Sequence, residues 1–143
     1  MTILGQRKSG LGALYSFTLI FSIIVLIYSI SLFWVNSFFP ILIIIGVGIM
    51  ATVSICILVA YYKTPKIAIT YDGQCTIYVK GQPIKLTDIT YVSYRRASAK
   101  GIQYKWGSVT ISTSLDKYKV SFLENCEMVE KAITKLVYEN NQR

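Results

Sequence analysis

The residues of this chain that could do chemistry are few and stand far apart. The chain has no histidine, the usual general base near neutral pH and the commonest metal ligand. The three cysteines, Cys56, Cys75 and Cys126, show no CxxC or paired spacing, so neither a zinc site nor a redox site is indicated. We expect them to act as small apolar residues.

The motifs give no support for nucleophilic catalysis. The sequence lacks a GxSxG elbow and a GxxxxGK phosphate loop, and no histidine is available to activate a serine or a cysteine. Glu127 and Glu130 lie three residues apart, but on the predicted solvent side of a helix. We therefore expect a protein that is not an enzyme and that needs neither a metal nor a cofactor.

The elements that hold these residues differ sharply in polarity. The chain has 143 residues, of which 53% are hydrophobic and 15% charged, whereas soluble proteins carry about 25% charged residues. No charged residue occurs between Lys8 and Lys63. This block suffices for two membrane-spanning helices of about 20 residues each. The composition excludes a wholly soluble protein, a disordered protein and a large enzyme.

The neutral block is predicted to form a transmembrane helical hairpin at 11–62. Asn36, Ser37 and Pro40 break it into helices at about 11–35 and 41–61, because proline can open a helix but disrupts the middle of one. The first run is too long for a signal peptide and has no small-residue cleavage site. The β-branched residues would suit strands in water, but lone strands cannot satisfy their backbone in lipid.

The charged flanks predict the orientation of the hairpin. Arg7 and Lys8 precede the first helix, Lys63 and Lys66 follow the second, and the connecting turn has no charge. The positive-inside bias therefore predicts a multi-pass protein of the cell (inner) membrane with both termini in the cytoplasm. Aromatic residues near the helix ends are expected to anchor them at headgroup depth: Trp34, Tyr61 and Tyr62.

A transport role is weakly supported by this hairpin. Ionisable residues inside a span usually mark ion pathways, and the hairpin has none. Gly48 and Thr52 form a small-xxx-small pair, which favours close helix packing, either between the two helices or with a partner chain.

The polar remainder is predicted to comprise a cytoplasmic N-terminal segment at 1–10 and a cytoplasmic domain at 63–143. After Pro65 the pattern becomes short and alternating, with turns at Asp72-Gly73 and at 80–83 and a loop at 97–101. Six or seven short strands with frequent turns favour antiparallel sheets.

The chain ends in a predicted helix at about 126–139. Asn125 is expected to cap it by accepting hydrogen bonds from the following backbone N–H groups. Apolar residues from Val129 to Val137 recur at helical spacing, and Glu127 can reach Lys131 one turn later. The apolar stripe is expected to bury against the sheets.

Short strands followed by one capping helix resemble the pleckstrin-homology-like (PH-like) fold. The likeness covers about 64–139 and is carried by Tyr94-Arg95-Arg96, 107–114, 118–122 and the helix after Asn125, a pattern similar to bacterial PH-like membrane proteins. The resemblance implies a two-helix transmembrane hairpin followed by an antiparallel β-barrel or sandwich, capped by a C-terminal helix, with a binding or scaffolding role. The first hairpin loop is Asp72-Gly73-Gln74 and lacks basic residues, so phosphoinositide binding is not expected.

A basic cluster is the strongest candidate binding surface of the domain. If the cluster faced an anionic leaflet, each charge would contribute about 1 kcal/mol of attraction. A loop whose charges are simply solvated is an equally good interpretation. Neighbouring tyrosines could stack on single-stranded nucleic acid, but they are also ordinary strand residues, and no specific nucleic acid is expected. The candidate residues for contact with anionic lipid are Arg95, Arg96, Lys100, Lys105, Lys63 and Lys66.

Three functional hypotheses follow from these patterns. The leading one is a non-enzymatic scaffold anchored in the lipid bilayer, whose PH-like domain binds a protein partner or a second copy at the cytoplasmic face. The alternatives are protection against membrane-active peptides, as an immunity or stress factor, and a subunit of a transport complex.

Overall fold

The protein combines two long apolar helices, two antiparallel sheets and a C-terminal helix, which confirms the predicted α+β class. The computed structural model describes residues 1–32 and 39–142. Two compact units are present in it. One is the helical hairpin Ser9–Lys63, and the other is a folded domain made of Met1–Lys8 and the chain from Thr64 onward.

The hairpin consists of α1 (Leu11–Leu32) and α2 (Phe39–Lys63). Pro40 is the second residue of α2, where its missing N–H group breaks no helical hydrogen bond. The predicted break at Asn36 and Ser37 lies outside the described residues. Both helices are long and apolar enough to cross a membrane, which gives weak support to the predicted membrane location.

Small and polar residues line the seam between α1 and α2. Gly12, Ser22 and Ser29 are buried on α1, and Ser54 and Tyr61 are buried on α2. The two α1 serine hydroxyls each donate a 2.8 Å hydrogen bond to the carbonyl oxygen four residues earlier, so burial leaves them satisfied. Ser22 and Ser29 lie seven residues apart, as do Ser54 and Tyr61, which is the spacing at which a helix keeps one face toward its partner.

The small-xxx-small pair predicted from sequence does not join these two helices. A Cβ atom added at Gly48 would meet nothing within 4 Å. Thr52 is exposed, and its hydroxyl donates to the Gly48 carbonyl oxygen at 2.9 Å. Of the two arrangements left open by the sequence, packing of this pair between α1 and α2 is therefore wrong.

The domain contains a four-stranded and a three-stranded antiparallel sheet, in the orders β1-β2-β3-β4 and β5-β6-β7. Between Arg7 and Leu123 an isolated bridge links them, and the described part of the chain forms no closed barrel. The strands are β1 (Thr2–Gln6), β2 (Ile67–Tyr71), β3 (Thr76–Val79), β4 (Gln82–Lys85), β5 (Ile89–Ala99), β6 (Ile102–Thr113) and β7 (Lys117–Leu123).

Strand β1 comes from the N-terminal segment that the sequence analysis placed outside the domain. It pairs antiparallel with β2, from Thr2 opposite Tyr71 to Gln6 opposite Ile67. The α1–α2 hairpin is therefore inserted between two neighbouring strands of one sheet. In chain order it occupies the position of the loop of a β-hairpin.

Two strand connections depend on a lysine followed by a glycine. Lys80 and Gly81 join β3 to β4 with φ values of 52° and 85°, and Lys100 and Gly101 join β5 to β6 with φ values of 47° and 82°. Two consecutive positive φ values characterise the type I′ turn, which matches the twist of a two-residue hairpin. The predicted loop at 97–101 was therefore wrong, since strand pairing continues through Ala99 and Ile102.

The hydrophobic core lies between the two sheets and the C-terminal helix α3 (Cys126–Asn141). Ile69 and Ile77 come from one sheet, Val109 and Ile111 from the other, and Ile133 from α3, and each is 0% exposed. Full burial of such a side chain contributes about 1.5–3 kcal/mol, so the apolar stripe of α3 is an integral part of this core.

The cap predicted for α3 differs from the one observed. Asn125 has left-handed backbone angles, φ 48° and ψ 49°, and its side chain makes no capping hydrogen bond. Its carbonyl oxygen instead accepts from the Val129 N–H at 3.2 Å. Asparagine is suited to this position because it tolerates left-handed backbone better than most residues.

Candidate functional site

The outer face of the β5-β6-β7 sheet carries a shallow groove of about 360 Å³. We call this surface the outer groove and define it by Arg95 and Arg96 on β5, Trp106 and Ser108 on β6, and Lys119 and Phe122 on β7. Arg95 pairs with Ser108 in the ladder, and Lys119 pairs with Thr110. Its lining contains arginine and lysine but neither aspartate nor glutamate, so the groove favours an anionic ligand.

Trp106 and Phe122 stack in the lining of the outer groove, and the Tyr104 ring, which lies outside that lining, continues the row. The ring centroids of Tyr104 and Trp106 lie 5.9 Å apart, and those of Trp106 and Phe122 lie 6.3 Å apart with an interplanar angle of 21°. These distances are typical of stacked aromatic pairs. The groove thus combines a polarisable apolar floor with flanking positive charges.

Phe122 reaches the outer face because β7 is bulged at this position. In the ladder Val109 pairs with Val120 and Gly107 pairs with Leu123, so Ser121 and Phe122 together oppose one residue, Ser108. The bulge reverses the alternation and leaves Leu123 fully buried in the core. A regular strand would place Phe122 on the same face as Val120, and the bulge prevents this.

The backbone of Phe122 is strained by this arrangement. Its φ of 60° lies in the left-handed region, where a bulky L residue costs about 1–2 kcal/mol. The surrounding ladder and the Trp106 ring hold it there. Strain of this kind marks a position where the fold directs a side chain to a particular face.

The attachment end of the domain is the place where the chain leaves it at Lys8 and returns at Thr64. The Lys8 N–H donates to the Phe122 carbonyl oxygen at 2.7 Å, and the Lys8 ammonium pairs with Glu124 at 2.7 Å. The Glu124 N–H donates to the Gln6 carbonyl oxygen at 2.9 Å. The outgoing chain is therefore tied to the end of β7, directly beside the outer groove.

Arg7 ties the returning chain to the same place. Its guanidinium donates to the Thr64 carbonyl oxygen at 2.8 Å, and its backbone N–H donates to the Lys66 carbonyl oxygen at 3.0 Å. Thr64 is only 3% exposed. Both connections to the hairpin are thus fixed at one end of the domain.

Glu127 organises a separate ionic cluster at the start of α3. Its carboxylate accepts from the Lys131 ammonium at 2.9 Å and from the Arg96 guanidinium. These hydrogen bonds, Lys131 first and then Arg96, lower the pKa of Glu127 below the ordinary carboxyl range and raise the pKa of both cations. The predicted Glu127–Lys131 pair is confirmed, and the cluster ties α3 to β5.

The structure separates the residues of the basic cluster predicted from sequence. Arg95 and Arg96 both line the outer groove, but the Arg96 guanidinium is engaged by Glu127 and lies 6.0 Å from the Tyr94 ring centroid. Lys105 lines a second groove with Glu127, and Lys100 occupies the exposed tip of the β5–β6 hairpin. The cluster is therefore not one surface.

The remaining predicted contacts fall at the ends of the hairpin. Lys63 is the last residue of α2, and Lys66 contributes its carbonyl oxygen to the attachment end. Tyr61 is 5% exposed and packs on Gly12, whereas Tyr62 is 65% exposed and meets Tyr61 edge to face at 5.4 Å. Trp34 lies outside the described residues.

The first domain hairpin loop is stabilised by Asp72. Its carboxylate accepts from the N–H groups of Gln74 at 2.8 Å and Thr76 at 3.1 Å. The Gln74 hydrogen bond is the main reason why the pKa of Asp72 is lowered. A carboxylate thus fills the place where a phosphate-binding loop would need positive charge.

A further groove of about 360 Å³ runs between β1 and α3. Ile3 is 46% exposed and Met128 69% exposed at its rim, and Leu4 and Ala132 contribute to its lining. Because β1 is the outermost strand of its sheet, backbone groups at Thr2–Leu4 lie on an edge beside this apolar surface.

The cysteines are separated in the structure as they are in the sequence. Cys56 and Cys75 are exposed, and Cys126 is buried with its thiol directed at the Lys105 carbonyl oxygen, 3.7 Å away. Burial is the main cause that raises the pKa of the Cys126 thiol, which makes it a weak nucleophile. Among the described residues, no three His, Cys, Asp or Glu side chains are grouped to hold a metal ion.

Two residues of the outer groove, Lys119 and Phe122, were not predicted from the sequence. Lys119 sits on the polar side of β7 and could have been found by pairing that strand with β6. Phe122 gave no such signal, since the bulge reverses its side.

No family model, curated protein or solved structure matches this chain.

Proposed function

We propose that this chain is a non-enzymatic, membrane-anchored binding protein that presents a PH-like domain to a protein partner at the cytoplasmic face of the inner membrane. The insertion of the apolar hairpin between β1 and β2 is the observation that carries this proposal. Because both helices continue into neighbouring strands, the domain is fastened at two points. Such an attachment suits a docking platform better than a single flexible linker does.

The strand arrangement supports the PH-like assignment. The domain has a four-stranded sheet, a three-stranded sheet and one C-terminal helix, whose apolar stripe closes the core. This arrangement agrees with a two-sheet architecture capped by a helix. The β2–β3 loop with Asp72 argues against phosphoinositides as the ligand. The proposed partner is accordingly a protein.

The charges at the attachment end support the proposed cytoplasmic location. Arg7, Lys8 and Lys66 cluster where the chain enters and leaves the hairpin, and Lys63 ends α2. Positive charges at both helix flanks favour the cytoplasmic side.

The groove between β1 and α3 is the proposed docking site, and its occupant is an extended segment of the partner protein. The edge of β1 offers backbone donors and acceptors, and the neighbouring surface of Ile3 and Met128 is apolar. An added strand would use both, since its backbone would pair with β1 and its alternate side chains would enter the groove.

Photocrosslinking in native membranes tests this proposal. A photoreactive amino acid at Ile3 or at Met128 should give the same discrete crosslinked protein band. The control position is Leu115, which is 91% exposed at the β6–β7 turn and should give none. Equal crosslinking from all three positions, or crosslinks of the chain only to itself, would contradict a specific partner.

A further inference from the structure

We propose that the outer groove binds the phosphate-containing headgroups of anionic lipids in the same bilayer that holds the anchor. This inference rests on the proposed membrane anchorage but concerns a different surface from the partner groove. The groove has the required chemistry, because Arg95 and Lys119 flank the aromatic row of Trp106 and Phe122 and no carboxylate lines it. Aromatic rings and basic side chains are the residues that favour headgroup depth.

The position of the groove along the chain favours a lipid over a soluble anion. The Phe122 carbonyl oxygen accepts from the Lys8 N–H, and only Ser9 and Gly10 separate Lys8 from the first residue of α1. Three residues span at most about 11 Å. The covalent chain therefore allows no more than this length between Lys8 and the first residue of the proposed anchor.

The bulge at Phe122 supports the same conclusion. A regular β7 would direct this ring into the core, and the strained backbone instead stacks it on Trp106. Arg96 also lines the outer groove, but its guanidinium is engaged by Glu127, and Lys105 lines the separate groove near α3. The lipid contact therefore involves Arg95 and Lys119, and only part of the cluster that the sequence suggested.

Fluorescence of Trp106 in reconstituted vesicles tests the inference. The chain has two tryptophans, so Trp34→Phe leaves Trp106 as the single reporter in the full-length protein. A lipid with a nitroxide on its headgroup would quench Trp106 more strongly in vesicles containing phosphatidylglycerol than in pure phosphatidylcholine, and added salt would reduce the difference. Equal quenching in both lipids would overturn the inference.

Charge variants identify the residues responsible. The double change Arg95→Gln/Lys119→Gln should lower the ratio of lipid-bound to lipid-free groove, as reported by Trp106 quenching. The expected decrease is about fivefold for each charge removed, which corresponds to about 1 kcal/mol for each basic residue. The matched control Lys85→Gln/Lys135→Gln removes the same charge elsewhere on the domain and should keep the quenching. Equal loss in the two variants would reduce the effect to net charge and overturn the assignment.

Three further measurements separate the possible failures. Protection of Cys126 from maleimide reports that a variant is folded, since this thiol is buried. Release of Trp106 from the quencher by inorganic phosphate at constant ionic strength would assign the groove to a soluble anion and overturn the lipid assignment. Extraction of the protein from membranes by alkaline carbonate would refute the anchorage. If the protein stays in the membrane but Trp106 quenching does not depend on lipid charge, only the lipid site would be refuted.

Discussion

The backbone N–H of Lys8 donates a 2.7 Å hydrogen bond to the carbonyl oxygen of Phe122, the one strand residue of β7 with a left-handed backbone. This bond connects the last residue before the helical hairpin to the bulge that shapes the outer groove. The neighbouring Arg7–Leu123 bridge joins the two sheets at the same place. The end of the domain segment Met1–Lys8, the junction of the sheets and the groove therefore share one short segment of β7.

Phe122→Val should destabilise the domain more than Phe122→Asn. If packing alone mattered, valine would be the better substitute, but a β-branched residue at φ 60° costs about 1–2 kcal/mol while asparagine tolerates this region. The control Lys119→Val, at an exposed position of the same strand, should change stability by less than about 0.5 kcal/mol. Chemical unfolding of the full chain in detergent measures all three. A valine variant more stable than the asparagine variant would refute the role of the bulge.

Gly107→Ala should strongly destabilise the β5–β6 pairing. A Cβ atom at Gly107 would overlap the Arg95 carbonyl oxygen and lie 2.9 Å from the Arg96 Cα, and backbone atoms cannot move aside as a side chain can. Overpacking of this kind costs about 1–3 kcal/mol, and we expect the upper end. Ser108→Ala is the neighbouring control. Similar free energies of unfolding for the two variants would show that the strands do not approach so closely.

Gly12→Ala should weaken the hairpin, and removal of the Tyr61 ring should suppress the effect. The added Cβ would lie 2.7 Å from the Tyr61 ring, which is buried and has little room to turn. In a Tyr61→Ala background the same glycine change should cost nothing, so the two variants form a double-mutant cycle with a coupling of about 1–3 kcal/mol. Gly46→Ala, where a Cβ meets nothing, is the control. Additive effects in detergent unfolding would disprove the contact.

The ionic cluster of Glu127 should make stability depend on pH in a defined direction. The folded pKa of Glu127 is lowered, so its contribution is fully present above the unfolded pKa, at about pH 5 and higher, and is lost as pH falls through the folded value. Glu127→Gln should therefore lower the melting temperature slightly at neutral pH and leave it unchanged in strong acid. Glu130→Gln, on the same helix, should have a smaller effect. A decrease for Glu127→Gln that persists in acid would contradict the pairing.

Cysteine labelling should distinguish both burial and sidedness. In a Cys56→Ser background, maleimide should modify exposed Cys75 much faster than Cys126, whose burial raises its pKa. If the domain is cytoplasmic, an impermeant maleimide should label Cys75 only after the inner membrane is opened. Labelling of Cys75 in sealed spheroplasts would place the domain on the outer side.

The helices and most strands were predictable because their signals are local. A long uncharged run requires helices in lipid, and alternation between turn residues indicates strands. Strand β1 was missed because its partner β2 follows only after the entire hairpin, so no local pattern links Thr2–Gln6 to Ile67–Tyr71.

The candidate site was predictable only in part, for a related reason. The basic cluster was grouped by the density of charge along the sequence, whereas the β5–β6 hairpin places Lys100 at its exposed tip and Lys105 in a separate groove. The contribution of Phe122 depends on a bulge, which breaks the alternation from which its position would be inferred. The density of positive charge in the sequence therefore indicated the region of the candidate site. The geometry of the strands determined which basic residues line the same groove.

The insertion of the hairpin inside a sheet determines how this domain can be prepared for biochemistry. A fragment that begins at Thr64 would lose β1 and expose the edge of β2, and such fragments tend to aggregate. Arg7 already contacts Thr64 and Lys66, so a short linker in place of the hairpin Ser9–Lys63 would connect β1 to β2 and keep the bonds of Arg7 and Lys8 to β7. A recombinant domain rewired in this way would retain every strand and its outer groove in aqueous buffer.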